Sequence, residues 1–125
     1  MNIVDSSGWL EYLADAPGAD FFAPAIEALD ELLVPTICML EVARIVHRQR
    51  GEDAALQALA LMQQGQVVNL DSVIILRAAR LGKAHQLPLA DSVVLATARV
   101  HDSVVWTQDS DFEGLDGVKY IPKKS

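Results

Sequence analysis

The sequence predicts an α/β fold, a central parallel sheet of four to five strands flanked by helices on both faces. Three features predict it. Short apolar, β-branched runs alternate with longer stretches of three- and four-residue apolar periodicity, so strands alternate with helices. Parallel strands need long crossovers, and the periodic stretches between the runs supply them. A chain of 125 residues that is 51% hydrophobic can fill one compact core, so residues 1–125 are expected to form a single domain.

Asn2-Ile3-Val4 reads as a buried strand, ended by Asp5-Ser6-Ser7-Gly8 ahead of a helix from Trp9 to about Ala14. Pro17-Gly18 breaks that helix. From Ala19 to Leu33 the residues Phe22, Ile26, Leu29 and Leu33 recur at helical spacing, with Pro24 as a kink or a start. Within the same stretch Leu32-Leu33-Val34 is also a candidate second strand. Pro35-Thr36 offers an N-cap for a helix running to Arg50 and closed by Gly51, and Glu52 to Gln64 follows as an Ala- and Leu-rich helix. Gln66-Val67-Val68-Asn69-Leu70 is a β-branched strand, after which Ser72 to His85 returns to helical periodicity. Pro88 restarts a helix over Leu89 to Val100. Ser103 to Thr107 forms the fourth strand, Asp109 to Glu113 an acidic turn, and Val118 to Ile121 the last strand.

Ten Lys and Arg against 17 Asp and Glu give a net charge of −7, which argues against a protein that coats nucleic acid by counterion release. Any nucleic acid must be gripped locally. Cys38 is the single cysteine, so no internal disulfide forms, and His47, His85 and His101 lack the spacing of a zinc site. No apolar run approaches the roughly 18 residues that span a bilayer, and Met1 to Asp5 lacks a signal-peptide pattern. A cytoplasmic protein without a membrane partner is expected.

Carboxylates are in surplus, and four of them stand at telling positions. In a parallel α/β sheet the ligand crevice lies beyond the carboxyl ends of the strands. Asp5 follows the first strand and Asp109 follows the fourth, although either also suits the N-cap of the next helix. Glu41, with Ile37 and Ile45 four residues to either side, interrupts an apolar helical stripe. Asp91 shares a face with Leu95 and Ala98 and has no Lys or Arg within a turn after it, whereas Arg44 lies one turn from Glu41. Carboxylates converging on one crevice repel each other unless a multivalent cation neutralises them. Four acids without His or Cys suit a hard ion, Mg²⁺ or Mn²⁺, and such a site permits phosphodiester hydrolysis.

These residues carry a resemblance. Asp5 after Ile3-Val4, Glu41 in Leu40-Glu41-Val42-Ala43, Asp91 in Leu89-Ala90-Asp91-Ser92-Val93-Val94, and Thr107-Gln108-Asp109-Ser110-Asp111-Phe112 resemble the motifs of PIN-domain nucleases, more narrowly those of VapC-type toxins. The likeness runs from residue 2 to residue 121. It implies that Asp5, Glu41, Asp91 and Asp109 are catalytic and metal-binding, with Asp111 as an accessory acid. Ser6 and Thr107 would be hydroxyls beside the site. By the same resemblance the chain is expected to be a Mg²⁺- or Mn²⁺-dependent endoribonuclease, neutralised by a cognate VapB-type antitoxin.

Arg44 and Arg48 lie near the face of the helix that carries Glu41, where they would guide an RNA backbone or contact the antitoxin, and Lys119, Lys123 and Lys124 are open to the same two readings. Apolar surplus on the helices Ala19–Leu33 and Glu52–Gln64 predicts a homodimer, and the resemblance implies a hetero-oligomer with the antitoxin. A phospho-receiver domain is the alternative from another class, with Asp71, Thr107 and Lys123 in its acid, hydroxyl and lysine positions. It would leave Glu41 and Asp91 unexplained, and it lacks the acidic pair that such a domain carries after its first strand. A PIN-like nuclease that is no toxin is the other alternative.

Overall fold

The computed structural model describes residues 1–124. Five strands, β1 (Asn2–Val4), β2 (Leu32–Pro35), β3 (Gln66–Val68), β4 (Val104–Thr107) and β5 (Val118–Tyr120), form one sheet in the order β3-β2-β1-β4-β5. Every pairing is parallel, with Ile3 opposite Leu33 and Val4 opposite Trp106. Helices α1 (Ser6–Leu13), α2 (Ala19–Glu27), α3 (Thr36–Arg50), α4 (Glu52–Met62), α5 (Ser72–His85) and α6 (Leu89–Val100) flank it. The expected α/β fold with a central parallel sheet is therefore present.

Strand order decides where a ligand can sit. From β1 the chain moves outward to β2 and β3, then returns past β1 to lay down β4 and β5. The direction of winding reverses between β1 and β4, and open α/β sheets bind ligands in the crevice beyond that reversal. A phospho-receiver sheet runs 2-1-3-4-5, so the observed order excludes that alternative. Asp71, its candidate acid, caps α5 at the sheet's edge by accepting the Ile74 N–H at 2.9 Å.

Helices α5 and α6 keep their expected limits and α3 its expected end, α4 stops at Met62, two residues short of Gln64, and two others shift for identifiable reasons. Instead of beginning at Trp9, α1 begins at Ser6, because the Asp5 carboxylate accepts the Gly8 N–H at 3.0 Å and caps the first turn. The helical stretch expected to run from Ala19 to Leu33 stops at Glu27. A 3-10 turn over Leu29–Glu31 follows, and all four residues of β2 are buried. Leu33 continued the helical spacing because a central strand also buries it. Pro35 occupies the N-cap position of α3 without any side-chain bond, so Thr36 is the first helical residue and not the cap.

Ile3, Val4, Leu32, Val34 and Val105 are buried from the sheet, against Trp9, Phe22, Val42, Met62 and Leu95 from the helices. A second cluster of Ile74, Ala78, Val93 and Ala96 joins α5 to α6. Ser92 to Ala98 are buried without interruption, so the middle of α6 is enclosed by its neighbours on every side. The apolar surplus lies elsewhere than expected. Within 19–33 and 52–64 only Leu29 and Leu56 are large and exposed, whereas Leu70, Val73, Ile75 and Leu76 crowd the region after β3, with Leu40 and Leu89 also in water. Among the described residues no helix is long and apolar enough to cross a membrane.

Candidate active site

Asp5 leaves the end of β1 and enters the crevice with both carboxylate oxygens engaged. Oδ1 accepts the Ser7 hydroxyl at 2.6 Å and the Gly8 N–H, while Oδ2 accepts the Thr107 hydroxyl at 2.7 Å. The sequence left cap and crevice as alternatives for Asp5; one oxygen caps α1 and the other accepts the Thr107 hydroxyl from the end of β4. Ser6 was expected as the hydroxyl beside the site, but the serine bonded to Asp5 is Ser7. Ser7 Oγ also lies 3.5 Å from Thr107 Oγ1.

Thr107, at the end of β4, joins two acids. Its hydroxyl donates to Asp5 and accepts the backbone N–H of Asp109 at 2.9 Å. Asp109 in turn caps a 3-10 turn over Ser110–Phe112 by accepting the Asp111 N–H at 2.9 Å. Asp91 reaches the same place from the first turn of α6. One carboxylate oxygen from each of Asp91, Asp109 and Asp111 lies within 4.8 Å of the others. Asp5 and Glu41 stand outside that triad. Glu41 is half-buried on α3, one turn beyond Cys38.

The electrostatics tie the remaining acids to the triad. Burial pushes the Asp5 carboxyl up to about 6, with Asp109 adding to the rise, against the lowering effect of its bonds from Ser7, Thr107 and Gly8. Asp91 is pushed up to about 8, by burial first and then by the charges of Asp109, Asp5 and Asp111. The buried Cys38 thiol is held well above its ordinary value by burial and then by Asp5, Glu41 and Asp91, so those three carboxylates bear on one point. Repulsion of this kind is relieved by a cation among the acids. Every donor is a carboxylate or hydroxyl oxygen, and that set fits a hard divalent ion.

Arg44 and Arg48 are exposed on α3. Lys123 and Lys124, with Ser7, Glu11 and Asp109, line a crevice of about 670 Å³ beside the acids. Lys119 instead places its ammonium 4.4 Å from the centre of the Trp106 ring. Besides Ser7, the sequence pattern did not point to Glu11 or to its partner Gln108. Glu11 is buried on α1, accepting the Gly18 N–H at 2.7 Å and the Gln108 side-chain amide at 3.0 Å. With α1 expected to start only at Trp9, its first turn was absent, and with it the spacing that sets Glu11 on the buried face beside Gly8.

The family model described as PIN domain matches residues 3–118. A toxin–antitoxin complex from Klebsiella pneumoniae contains a chain similar to this one, with a TM-score of 0.78 at 24% identity over 95% of this chain and 96% of that one. Mycobacterium tuberculosis VapC20, a sarcin–ricin loop cleaving toxin, has a TM-score of 0.78 at 17% identity, covering 94% of this chain and 97% of its own. VapBC from Salmonella typhimurium, solved bound to DNA, has a TM-score of 0.74 at 12% identity over 97% and 96%. No curated protein matches the sequence.

Proposed function

The chain belongs to the PIN domain family, and from that premise we propose that it is the toxin of a VapBC-type pair, a Mg²⁺- or Mn²⁺-dependent endoribonuclease. Asp5, Glu41, Asp91 and Asp109 are the acids assigned to the metal, with Asp111 as an accessory. The observation that carries this reading is the triad of carboxylate oxygens within 4.8 Å at the mouth of the β1/β4 reversal. A divalent ion bound there would polarise the scissile phosphate and lower the pKa of an attacking water.

The chain's own residues prepare that chemistry. Ser7 and Thr107 hold Asp5 in one orientation, so its charge is directed without a rotamer search. Thr107 fixes the Asp109 backbone, and the N-terminal turn of α6 favours the anionic form of Asp91 against the neighbouring acids. Lys123, Lys124, Arg44 and Arg48 are the cations assigned to the RNA backbone. They compensate locally for a chain of net charge −7.

The antitoxin reading has support in the shape of the surface. A groove of about 600 Å³ between α1, α3 and α4 is lined by Leu10, Leu13, Val46, Ala58 and Leu61. It shares Leu10 and Ala14 with the crevice that reaches Asp109. An antitoxin segment with apolar residues in the groove and an Arg beyond them would set a guanidinium among the acids in the metal's stead. For the homodimer, the supporting surface is the outer face of α5, where Val73 and Leu76 stand 61% and 55% exposed.

The test is RNA cleavage by the purified chain with Mg²⁺ or Mn²⁺, with excess chelator, and with Asp91→Asn. Cleavage that needs the metal and is lost in the variant is expected; undiminished cleavage in chelator refutes the mechanism. Expression alone against co-expression with the product of the adjacent reading frame tests the toxin role. Growth arrest relieved by a complex of the two products is expected, and harmless expression of the active chain leaves a PIN nuclease that is no toxin.

A further inference from the structure

Glu11 is a buried carboxylate outside the acid cluster, only 5% exposed, and both of its hydrogen-bond donors are neutral. A buried charge without a cationic partner is costly unless its bonds do something that apolar packing cannot. One bond, from the Gly18 N–H, joins α1 to the start of α2 and would serve stability alone. The other goes to Gln108, the residue between Thr107 and Asp109.

Gln108 is itself 8% exposed and is tied to α1 at several points. Its side-chain amide donates to Glu11 Oε1 at 3.0 Å and lies 3.5 Å from the Ser7 carbonyl, while its backbone N–H donates to the Ser7 hydroxyl at 3.3 Å. Its carbonyl Oε1 is buried with no partner. An unmet acceptor costs free energy, so the amide is held in this orientation by the acceptors on its other side. Glu11, the charged one, is the stronger of them.

We propose that Glu11 is a positioning residue for the carboxylate site. Through Gln108 it clamps the Thr107–Asp109 segment to α1 and so sets how tightly the acids take a divalent ion, an inference that rests on the metal-dependent reading above. Displacing Gln108 moves both of its neighbours. On one side the Thr107 hydroxyl loses its alignment with Asp5 Oδ2, and on the other Asp109 shifts from Asp91. Gly18 belongs to the same device. Its φ of −89° suits any residue, but a Cβ there would stand 2.9 Å from Glu11 Oε2 and 3.2 Å from Gln108 Oε1. Glycine is needed at that position for room.

The experiment measures Mn²⁺ binding by calorimetry without RNA, alongside cleavage as a function of Mn²⁺ concentration. The chains are wild type, Glu11→Gln, Glu11→Gln with Gln108→Glu, and Gly18→Ala. An amide at position 11 sets an NH₂ against one of its two donors, and Mn²⁺ affinity should fall by about tenfold, the lower end of what outer-shell changes cost. The rate at saturating Mn²⁺ should change by less than about threefold, since no ligand is removed. Exchanging acid and amide restores a donor and an acceptor across the contact, so the double variant should recover most of the affinity at unchanged total charge. Gly18→Ala should weaken Mn²⁺ binding with every carboxylate intact, and it decides the matter if Glu11→Gln does not fold. Variants that melt earlier yet bind Mn²⁺ as wild type does would make Glu11 purely structural and overturn the inference alone. A wild-type chain that takes up no Mn²⁺ would overturn both this inference and the reading beneath it.

Discussion

The β1/β4 reversal and the flank formed by β3 and α5 break the usual sorting of residues in opposite directions. At the reversal, acids are drawn inward: Asp5 is 3% exposed and Asp91 and Asp109 are half-buried beside the exposed Asp111. On the flank, apolar side chains stand in water, with Val73, Ile75 and Leu76 all more than half exposed. Neither arrangement favours the isolated chain, since buried charge repels and exposed apolar area forgoes burial. The difference teaches what each region lacks. On the reading proposed above, a cation would complement the one and an apolar surface the other.

The largest effect is expected at the reversal. Asp91→Asn should reduce RNA cleavage by about a thousandfold at saturating metal. At pH 8 without metal the same variant should melt higher than wild type, because it relieves repulsion from Asp109, Asp5 and Asp111. Loss of both cleavage and stability would instead mean that Asp91 is a structural acid, and the contrast between the regions would fail.

Next in size is the response of the metal-free chain to pH. Asp5 and Asp91 hold protons more tightly folded than unfolded, their values rising from 3.8 to about 6 and about 8. Their contribution is complete below 3.8 and is lost as pH rises through those two values. For buried Asp5 the loss amounts to about 3 kcal/mol. Urea unfolding at pH 5 and pH 8 should show the fall, and added Mn²⁺ should reverse it at pH 8. A metal-free stability from these groups that grows toward pH 8 would contradict the assignment.

The flank should respond differently. Val73→Glu combined with Leu76→Glu should weaken self-association by at least about tenfold in sedimentation, with cleavage per chain retained and little change in melting, since both side chains already face water. A dimer that survives both changes would place the interface elsewhere. Smallest is Ser7→Ala, which removes one of three hydrogen bonds to Asp5. It should cost about 1 kcal/mol at pH 8 and less at pH 5, where Asp5 is largely protonated. Equal costs at both values would show that Ser7 serves the helix and not the charge.

Which parts were readable from sequence follows from how local their causes are. The limits of α3, α5 and α6 lie beside residues with few options: Gly51 at a φ of 90°, Asp71 as a side-chain cap, and Pro88 before α6. The end of α2 was hidden because Leu33 kept the helical spacing while belonging to a strand. Asp5, Asp91 and Asp109 stood out, since an acid at a strand end or on an apolar stripe is visible locally. The partners of those acids did not. Ser7 meets Thr107 and Glu11 meets Gln108 across about a hundred residues, and no periodicity reports such a meeting. The exposed face of α5 was likewise missed, because sequence shows how much apolar surface there is but not which of it the sheet covers.

The pairing of β1 with β4 also orders events while the chain is being made. Asp5 leaves the ribosome about a hundred residues before β4 and Thr107, and Val4 must find Trp106 across a loop of that length. Closing so long a loop is slow, and chains with such distant contacts fold late. A product stopped before β4 lacks Asp109 and Asp111 together with the Thr107 bond to Asp5, so the acid cluster cannot form on an interrupted chain. The acids therefore converge only after β1 to β3 and all six helices have been made.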